Sequence, residues 1–302
     1  MPLAPIVLFA YARVEHVRLT IEALLRNEFA GDSDLIIYSD AAKTVEQQAD
    51  VDKTRAYLKS ISGFGSVTVH FRPSNLGLAN SIVLGVTEVL ASHPCAIVLE
   101  DDMVTSPYFL KYMNEALTRF ADDDRVVSIH GYIYPVKRAL PDAFFLRGAD
   151  CWGWATWRRG WKTFNPNGQY LLDELKRRQL LRAFDVDGAY SFSTMLQNQI
   201  DGRNDSWAVR WHASAFLADK LTLYPGRSLV HNIGNDSSGT HCGDSTTHDV
   251  ALSQSPIDLG TVQAVPSGIG LQAFEEFFRQ SNGGFLRRLR RRTLDFIRSQ
   301  FG

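Results

Sequence analysis

The sequence predicts an α/β protein built on a mostly parallel, doubly wound sheet with helices on both faces. Over the first 120 residues, short apolar runs alternate with segments in which apolar residues recur at helical spacing. The run at 95–99 (CAIVL) is apolar throughout, which is typical of a central strand covered on both faces. The chain has 302 residues, 45% hydrophobic and 22% charged, so it can bury a core of this kind.

Each of the first four apolar runs is followed by a helical pattern, so the first half contains four strand–helix units. The predicted strands are 5–10, 34–39, 67–71 and 95–99, and the predicted helices are 17–25, 45–61, 78–91 and 108–120. In the third unit, strand and helix are joined by a loop rich in Pro, Asn and Gly at 72–77. Alternation of this kind indicates a parallel sheet.

From residue 126 the pattern changes, without a clear linker. The second half contains strand-like pieces at 126–134 and 143–147, a predicted helix near 171–184 and a loop-rich stretch at 231–268. It also contains a Trp-rich segment, in which Trp154, Trp157 and Trp161 fall on one helical face and are predicted to pack in the core.

Composition excludes several classes of protein. With 32 Lys and Arg against 33 Asp and Glu, the net charge of −1 disfavours a nucleic-acid partner. Three cysteines without CxxC spacing argue against a disulfide scaffold or a Cys-rich zinc site. No run approaches the roughly 18 to 20 apolar residues of a spanning helix, and no secretory leader is evident. A cytoplasmic location is therefore predicted.

Polar side chains follow each of the four predicted strands. They are Arg13, Asp40, Arg72 and the triple Glu100, Asp101 and Asp102. Because the carboxyl ends of parallel strands meet at one edge of a sheet, where ligands of doubly wound folds bind, these residues are expected to converge.

The carboxylate triple is the strongest of these signals. Like charges this close repel one another, and the sequence places no Lys or Arg beside them, so the triple suggests a bound divalent cation. Carboxylate oxygens suit Mg²⁺ or Mn²⁺, which keep waters and coordinate a substrate diphosphate. The alternative is a solvated acidic turn before the next helix. Arg13, Arg72 and Asn75, with Gly77 before a helix, are candidate phosphate or nucleoside contacts.

Together these residues resemble the nucleotide-sugar half of GT-A glycosyltransferases. The likeness rests on the loop with Arg13, the strand ending in Asp40, the RPSNLG loop at 72–77 and above all the LEDD strand end at 99–102, and it extends to about residue 250. More narrowly, the order resembles N-acetylglucosaminyltransferase I, its O-mannose-linked relative and related bacterial sugar transferases. The resemblance implies a GT-A fold with a Rossmann-like sheet and an acceptor-facing second half.

The resemblance also implies roles for single residues. It places the metal on Asp102, Glu100 and Asp101 on the donor ribose and sugar, and Asp40 on the uracil. It places Arg13 near the nucleotide, and analogy with related transferases adds Arg72 as a donor contact.

Three segments of the second half carry further candidates. The segment at 204–211 (NDSWAVRW) resembles the family's stretch in which a catalytic Asp precedes a Trp, so Asp205 is the preferred base and Asp150 the reserve. Trp152, ahead of the predicted Trp helix, is a candidate for stacking on the donor sugar. The loop at 231–243 is expected to close over the donor, and His231 or His241 could approach its pyrophosphate or metal.

These observations predict a Mn²⁺- or Mg²⁺-dependent glycosyltransferase of polysaccharide biosynthesis. It would move GlcNAc or another hexose from a UDP-sugar to a hydroxyl of a glycan or lipid-linked glycan, with inversion. The expected division is a nucleotide-sugar-binding half at 1–125 and an acceptor-binding, catalytic half of the same domain at 126–283. The alternatives are a nucleotide-sugar-forming nucleotidyltransferase, which should carry a Gly-rich phosphate loop absent from 5–15, and a non-catalytic carbohydrate-binding protein, which could dispense with the acidic triple.

The last residues, 284–302, form a basic amphipathic tail. It contains six arginines and one aspartate, and in a helix its apolar residues would lie broadly on one side. Such a helix is drawn to anionic lipid, so the sequence suggests peripheral contact with the inner face of the cell membrane. The alternative is a solvated basic terminus.

Overall fold

The computed structural model describes residues 2–236 and 246–281. The strands in this part of the chain are β1 (Ile6–Ala10), β2 (Asp34–Ser39), β3 (Ser66–Phe71), β4 (Cys95–Glu100), β5 (Met103–Thr105), β6 (Val126–His130), β7 (Ala143–Arg147), β8 (Trp154–Trp157), β9 (Leu221–Pro225) and β10 (Val230–Asn232). The α-helices are α1 (Val14–Leu25), α2 (Gln48–Leu58), α3 (Leu78–Ser92), α4 (Phe109–Arg119), α5 (Arg158–Trp161), α6 (Gly168–Arg177), α7 (Leu181–Phe184), α8 (Phe192–Ile200) and α9 (Trp207–Leu217), and residues 268–281 are also helical.

Eight strands form one sheet in the order β3-β2-β1-β4-β8-β6-β9-β7. All run in the same direction except β8 and β7, which are antiparallel to their neighbours. Helices α1, α2 and α4 pack on one face, and α3 and α9 pack on the other. The predicted class, a mostly parallel α/β sheet covered on both faces, is confirmed. The sheet continues without interruption from the first half of the chain into the second, because β4 pairs directly with β8.

The central strands are buried on both faces, as their apolar runs predicted. In β1, Ile6 and Leu8 contribute to the core below α1, whereas Val7 and Phe9 contribute to the core below α3. The ends of β1 to β4 lie side by side, since Phe9 pairs with both Tyr38 of β2 and Glu100 of β4. We call this side of the molecule the carboxyl edge of the sheet.

The prediction that Trp154, Trp157 and Trp161 share a helical face is wrong. Trp154–Trp157 is strand β8, inserted between β4 and β6, and only the single turn from Arg158 to Trp161 is helical. Trp154 packs with Trp161 and Trp207 on one face of the sheet, while the Trp157 indole lies on the other and donates a hydrogen bond to the Leu117 carbonyl at 3.1 Å. The expected burial of all three is correct. A four-residue apolar run fits either periodicity, and pairing with two strands decides the outcome.

The predicted helix near 171–184 is interrupted. Helix α6 ends at Arg177 and α7 begins at Leu181, with Gln179 between them in the left-handed region at φ 56°. The break allows Leu175 and Phe184 to enter the same small core against α9.

None of the helices in the described part of the chain has the length and apolar character needed to span a bilayer. His241 and the predicted tail at 284–302 lie outside the described residues, so the expected membrane contact and cytoplasmic location stay predictions.

Candidate active site at the carboxyl edge of the sheet

Arg13 binds two of the three carboxylates that follow β4. Its Nη2 donates to Asp101 Oδ1 in a short contact and to Asp102 Oδ2 at 2.7 Å. These residues are far apart in sequence, but the loop after β1 and the end of β4 are neighbours at the carboxyl edge. The expectation that no Arg or Lys lies beside the triple is therefore wrong, because topology supplies a cation that local sequence does not show.

The backbone holds this carboxylate cluster, Glu100, Asp101 and Asp102, from both sides. The Thr20 hydroxyl on α1 donates to the Asp101 carbonyl at 2.8 Å, and the Ile233 amide donates to the Asp102 carbonyl at 2.9 Å. Both aspartates are buried, with 4% and 8% of their surface exposed. The cluster is thus a fixed feature and not a solvated acidic turn.

One guanidinium does not balance three carboxylates. Burial raises the pKa of Glu100, and the charges of Asp102 and Asp101 raise it further, against an opposing effect of Arg13. Burial also raises the pKa of Asp101, although Arg13 counteracts it. These shifts mean that ionisation of the carboxylates is opposed by burial and by their mutual repulsion, and a bound cation would favour the ionised forms.

Asp102 has an oxygen suited to a metal ion. Its Oδ1 is buried and has no hydrogen-bond partner among residues 2–236 and 246–281, and the same holds for Nη1 of Arg13. Leaving a buried carboxylate oxygen without a hydrogen-bond partner lowers the free energy of unfolding by about 1–3 kcal/mol. Within residues 2–236 and 246–281, no group of three or more His, Cys, Asp and Glu is placed to hold a metal. The residues fit Mg²⁺ or Mn²⁺ bound through one carboxylate, with the other ligands from water and a phosphorylated substrate.

The segment after β10 closes one side of the cluster. Strand β10 pairs antiparallel with β5, which places His231 opposite Val104 and Asn232 opposite Met103. The Asn232 side chain then accepts the Gly234 amide at 2.7 Å. On the same segment, Asp236 pairs with His16 of α1 at 3.1 Å. The sequence predicted that this loop closes over the donor; its described beginning contacts Asp102, and closure over a donor stays a prediction.

The position of Gly234 has no room for a side chain. A Cβ there would overlap the Asp102 carboxylate and would lie 3.1 Å from Nη1 of Arg13. We expect Gly234→Ala to displace the Asp102 carboxylate and weaken Mn²⁺-dependent nucleotide binding by about tenfold or more, or at least about 1.4 kcal/mol. Gly31→Ala is the matched control, because a Cβ at Gly31 meets nothing within 4 Å. Calorimetric titration of both variants with nucleotide and Mn²⁺ measures the difference, and equal affinities would contradict this packing role.

Asp40 anchors the loop at 72–77. Its carboxylate accepts the Leu76 amide at 3.0 Å and the Gly77 amide at 2.9 Å, and Asn75 donates to the Ala41 carbonyl at 2.7 Å. Arg72 lies over the Tyr38 ring, 4.6 Å from its centroid. These residues converge at the carboxyl edge as expected, and their roles toward a nucleotide remain predictions.

Asp150 and Trp152, from the second half of the chain, lie at the carboxyl edge. Gly153, which connects Trp152 to β8, lies beside the ends of β4 and β6, since its carbonyl accepts the Gly131 amide at 2.7 Å. Burial raises the pKa of the Cys151 thiol, and the charges of Asp150, Glu100 and Asp102 raise it further. The Trp152 ring is partly buried, 4.7 Å from Tyr132 and 5.6 Å from His248.

Asp205 is exposed and precedes α9, whose N-cap is Ser206. Trp207 in the first turn lies 5.4 Å from Trp154, and α9 then leads to β9, which begins at the opposite edge of the sheet. Asp205 thus lies on the carboxyl-edge side of the molecule. Burial lowers the pKa of Arg210, one turn along the helix, and the charge of Asp205 opposes this effect.

His231 contacts the chain that follows the undescribed part of the loop. Its Nδ1 accepts the Val250 amide at 3.5 Å. The imidazole therefore has a structural contact, and its predicted approach to a donor is untested.

Sequence reasoning missed His130, the last residue of β6. Its side chain is fully buried, and its Nε2 lies 3.7 Å from Oδ2 of Asp150. The sequence did contain a signal for it, because His130 is a polar residue at the end of an apolar strand. The same signal identified the candidate residues at the strand ends of the first half.

No family model and no curated protein matches the sequence. Among solved structures, the chain is similar to the mannosyltransferase PcManGT from Pyrobaculum calidifontis in complex with GDP-Man and Mn²⁺, with 10% identity, a TM-score of 0.38, and 72% of this chain and 70% of that chain covered. It is also similar to TarS of S. aureus, with 14% identity and a TM-score of 0.30 over 48% of this chain, and to TarS 1-349, with 8% identity and a TM-score of 0.32 over 63% of this chain. The similarity covers 24% of the first TarS chain and 54% of the second.

At these identities and TM-scores, none of the three likenesses decides a donor, a metal or an acceptor. Function is therefore inferred from the residues of the site.

Proposed function

We propose that this protein is a metal-dependent glycosyltransferase that uses a nucleotide sugar, with a UDP-hexose such as UDP-GlcNAc as the first candidate. The observation that supports this most is Oδ1 of Asp102, which is buried, has no hydrogen-bond partner in the described part of the chain, and belongs to an acidic cluster at the carboxyl edge of a doubly wound sheet. The narrower likeness to N-acetylglucosaminyltransferase I rests on the sequence motifs alone.

Asp102 would hold Mn²⁺ or Mg²⁺, which supplies a positive charge to the leaving diphosphate when it is bound. Arg13 keeps the Asp102 carboxylate in place, and its buried Nη1, which has no hydrogen-bond partner among the described residues, would donate to a phosphate oxygen. Glu100 is the partly exposed member of the cluster and would accept hydrogen bonds from donor hydroxyls. The loop anchored by Asp40 would border the nucleoside.

In the transfer step, the acceptor oxygen forms a bond to the anomeric carbon of the donor, and the bond from that carbon to the diphosphate oxygen breaks. Attack on the face opposite the leaving diphosphate inverts the anomeric configuration, and the acceptor proton passes to a carboxylate on the attacked face. Asp205 and Asp150 are the two candidates for this base. The segment after Asn232 would exclude water at its described end, where Gly234 covers Asp102.

A donor screen tests the proposal. Purified protein is incubated with UDP- and GDP-sugars and Mn²⁺, and nucleotide release is measured with and without a chelator. Metal-dependent release from a UDP-hexose is the expected result. Release from GDP-sugars alone would overturn the uridine assignment, and no release from any of the donors would favour a carbohydrate-binding protein.

Asparagine variants separate the two candidate bases. We expect Asp150→Asn to reduce turnover by about 10²–10⁴-fold and Asp205→Asn by less than about tenfold, because Asp150 precedes the segment that lies beside the ends of β4 and β6, whereas Asp205 is exposed ahead of α9. The measurement is turnover of the donor found in the screen, with nucleotide affinity determined separately. A large loss in Asp205→Asn, with Asp150→Asn close to wild type, would restore Asp205 as the base.

A further inference from the structure

His130 is a buried imidazole with no hydrogen bond to the described protein. Its side chain is 1% exposed, and neither Nδ1 nor Nε2 has a hydrogen-bond partner among the described residues. Leaving a buried polar group unpaired costs about 1–3 kcal/mol, and an apolar residue of similar volume would avoid that cost. The histidine is therefore not explained by packing.

The charged group facing His130 is Asp150. Nε2 and the Asp150 Oδ2 are 3.7 Å apart, slightly beyond hydrogen-bond distance, and the Asp150 side chain is 24% exposed. The other oxygen, Oδ1, accepts the Cys151 amide at 2.8 Å, and Oδ2 also faces the Tyr134 hydroxyl at 3.4 Å. One oxygen of Asp150 is thus fixed by the backbone, while the other has only long contacts.

The surroundings of His130 favour a neutral imidazole. Burial lowers its pKa, and the negative charge of Asp150 offsets this only in part. Aromatic rings lie on its other sides, with Tyr224 at 5.1 Å and Tyr132 at 6.3 Å between centroids. A neutral imidazole has a single N–H, and among these neighbours the carboxylate of Asp150 is the strongest acceptor.

We propose that His130 is a positioning residue that donates its Nε2–H to Oδ2 of Asp150 and holds this carboxylate toward the acceptor hydroxyl. The proposal rests on the proposed function, in which Asp150 receives the acceptor proton. Oδ2 would then be oriented by the imidazole and the Tyr134 hydroxyl and would keep an exposed lone pair for the acceptor. Trp152, beside Asp150 and partly exposed, would border the acceptor at this point.

Two substitutions of His130 distinguish positioning from packing. His130→Gln keeps an N–H donor, whereas His130→Leu removes both unpaired nitrogens and fills a similar volume. We expect His130→Leu to be at least as resistant to heat as wild type but to lose turnover by about 100-fold, and His130→Gln to stay within about fivefold of wild-type turnover. Turnover is nucleotide release from the donor of the screen with Mn²⁺ and water as acceptor, where the water oxygen bonds to the anomeric carbon and its proton passes to Asp150. Wild-type turnover in His130→Leu, or an equal loss in both variants together with lower melting temperatures, would overturn the proposal.

A second measurement needs no activity. In protein labelled with ¹⁵N in the imidazoles, the His130 signals are identified by their absence from His130→Gln. The expected tautomer carries the proton on Nε2, and its signals should shift in Asp150→Asn. A proton on Nδ1, or signals unchanged in Asp150→Asn, would overturn the pairing. If no nucleotide sugar is turned over by wild type, the proposed function fails, and the NMR result still decides whether His130 and Asp150 are paired.

Discussion

Asp102→Asn is expected to abolish metal-dependent turnover, with a loss of at least about 10³-fold. The substitution preserves shape and leaves an oxygen that can still accept from Arg13, but it removes the charge and half of the carboxylate on which the cation depends. Calorimetry should show nucleotide binding that no longer responds to Mn²⁺, while the melting temperature without metal stays close to that of wild type.

Asp52→Asn is the control for Asp102→Asn. Asp52 is exposed on α2, where it accepts a hydrogen bond from Gln48, and its loss should change neither Mn²⁺ response nor turnover. Undiminished turnover in Asp102→Asn would remove the metal role from this residue, and with it the principal support for the proposed function.

Arg13→Met should produce the largest loss of stability at the site. It leaves Asp101 and Asp102 buried without their cation, and removing one partner of a buried ion pair typically costs about 3–5 kcal/mol. We expect the free energy of unfolding to fall by about 3 kcal/mol and to recover in part when Mn²⁺ is added, because a ligand that binds only the folded state stabilises it. Denaturant unfolding with and without Mn²⁺ measures both effects.

Arg18→Met provides the comparison, since Arg18 lies on the same helix with 45% of its side chain exposed and pairs with Glu15 at 3.3 Å. An exposed pair of this kind contributes at most about 1 kcal/mol. If Arg13→Met is no less stable than Arg18→Met, Arg13 does not neutralise the cluster. If Mn²⁺ stabilises wild type but does not stabilise Arg13→Met, the metal does not replace the guanidinium as the cation that neutralises Asp101 and Asp102.

The chain order of strands and helices in the first half could be predicted because each element is encoded locally. The continuous apolar runs of β1 and β4 indicate burial on both faces, whatever the distant neighbours are. The positions of Asp40 and Asp102 at strand ends follow from the same information, since parallel strands place their carboxyl ends together.

The second half was less predictable because its strands are short and insert out of chain order. The segment from Trp154 to Trp157 has apolar spacing compatible with a helix, and only its pairing with β4 and β6 makes it a strand. The same insertion brings Asp150 and Cys151 to the carboxyl edge, an arrangement that no sequence spacing encodes.

By itself, the sequence determined the fold class and the acidic strand end, because periodicity and local charge are properties of neighbouring residues. The tertiary structure decided which charges meet. It placed Arg13 on Asp101 and Asp102, Gly234 against Asp102, and His130 behind Asp150. Each of these contacts joins segments far apart in the chain, and their partners are selected by the order of strands in the sheet and by the space left between them.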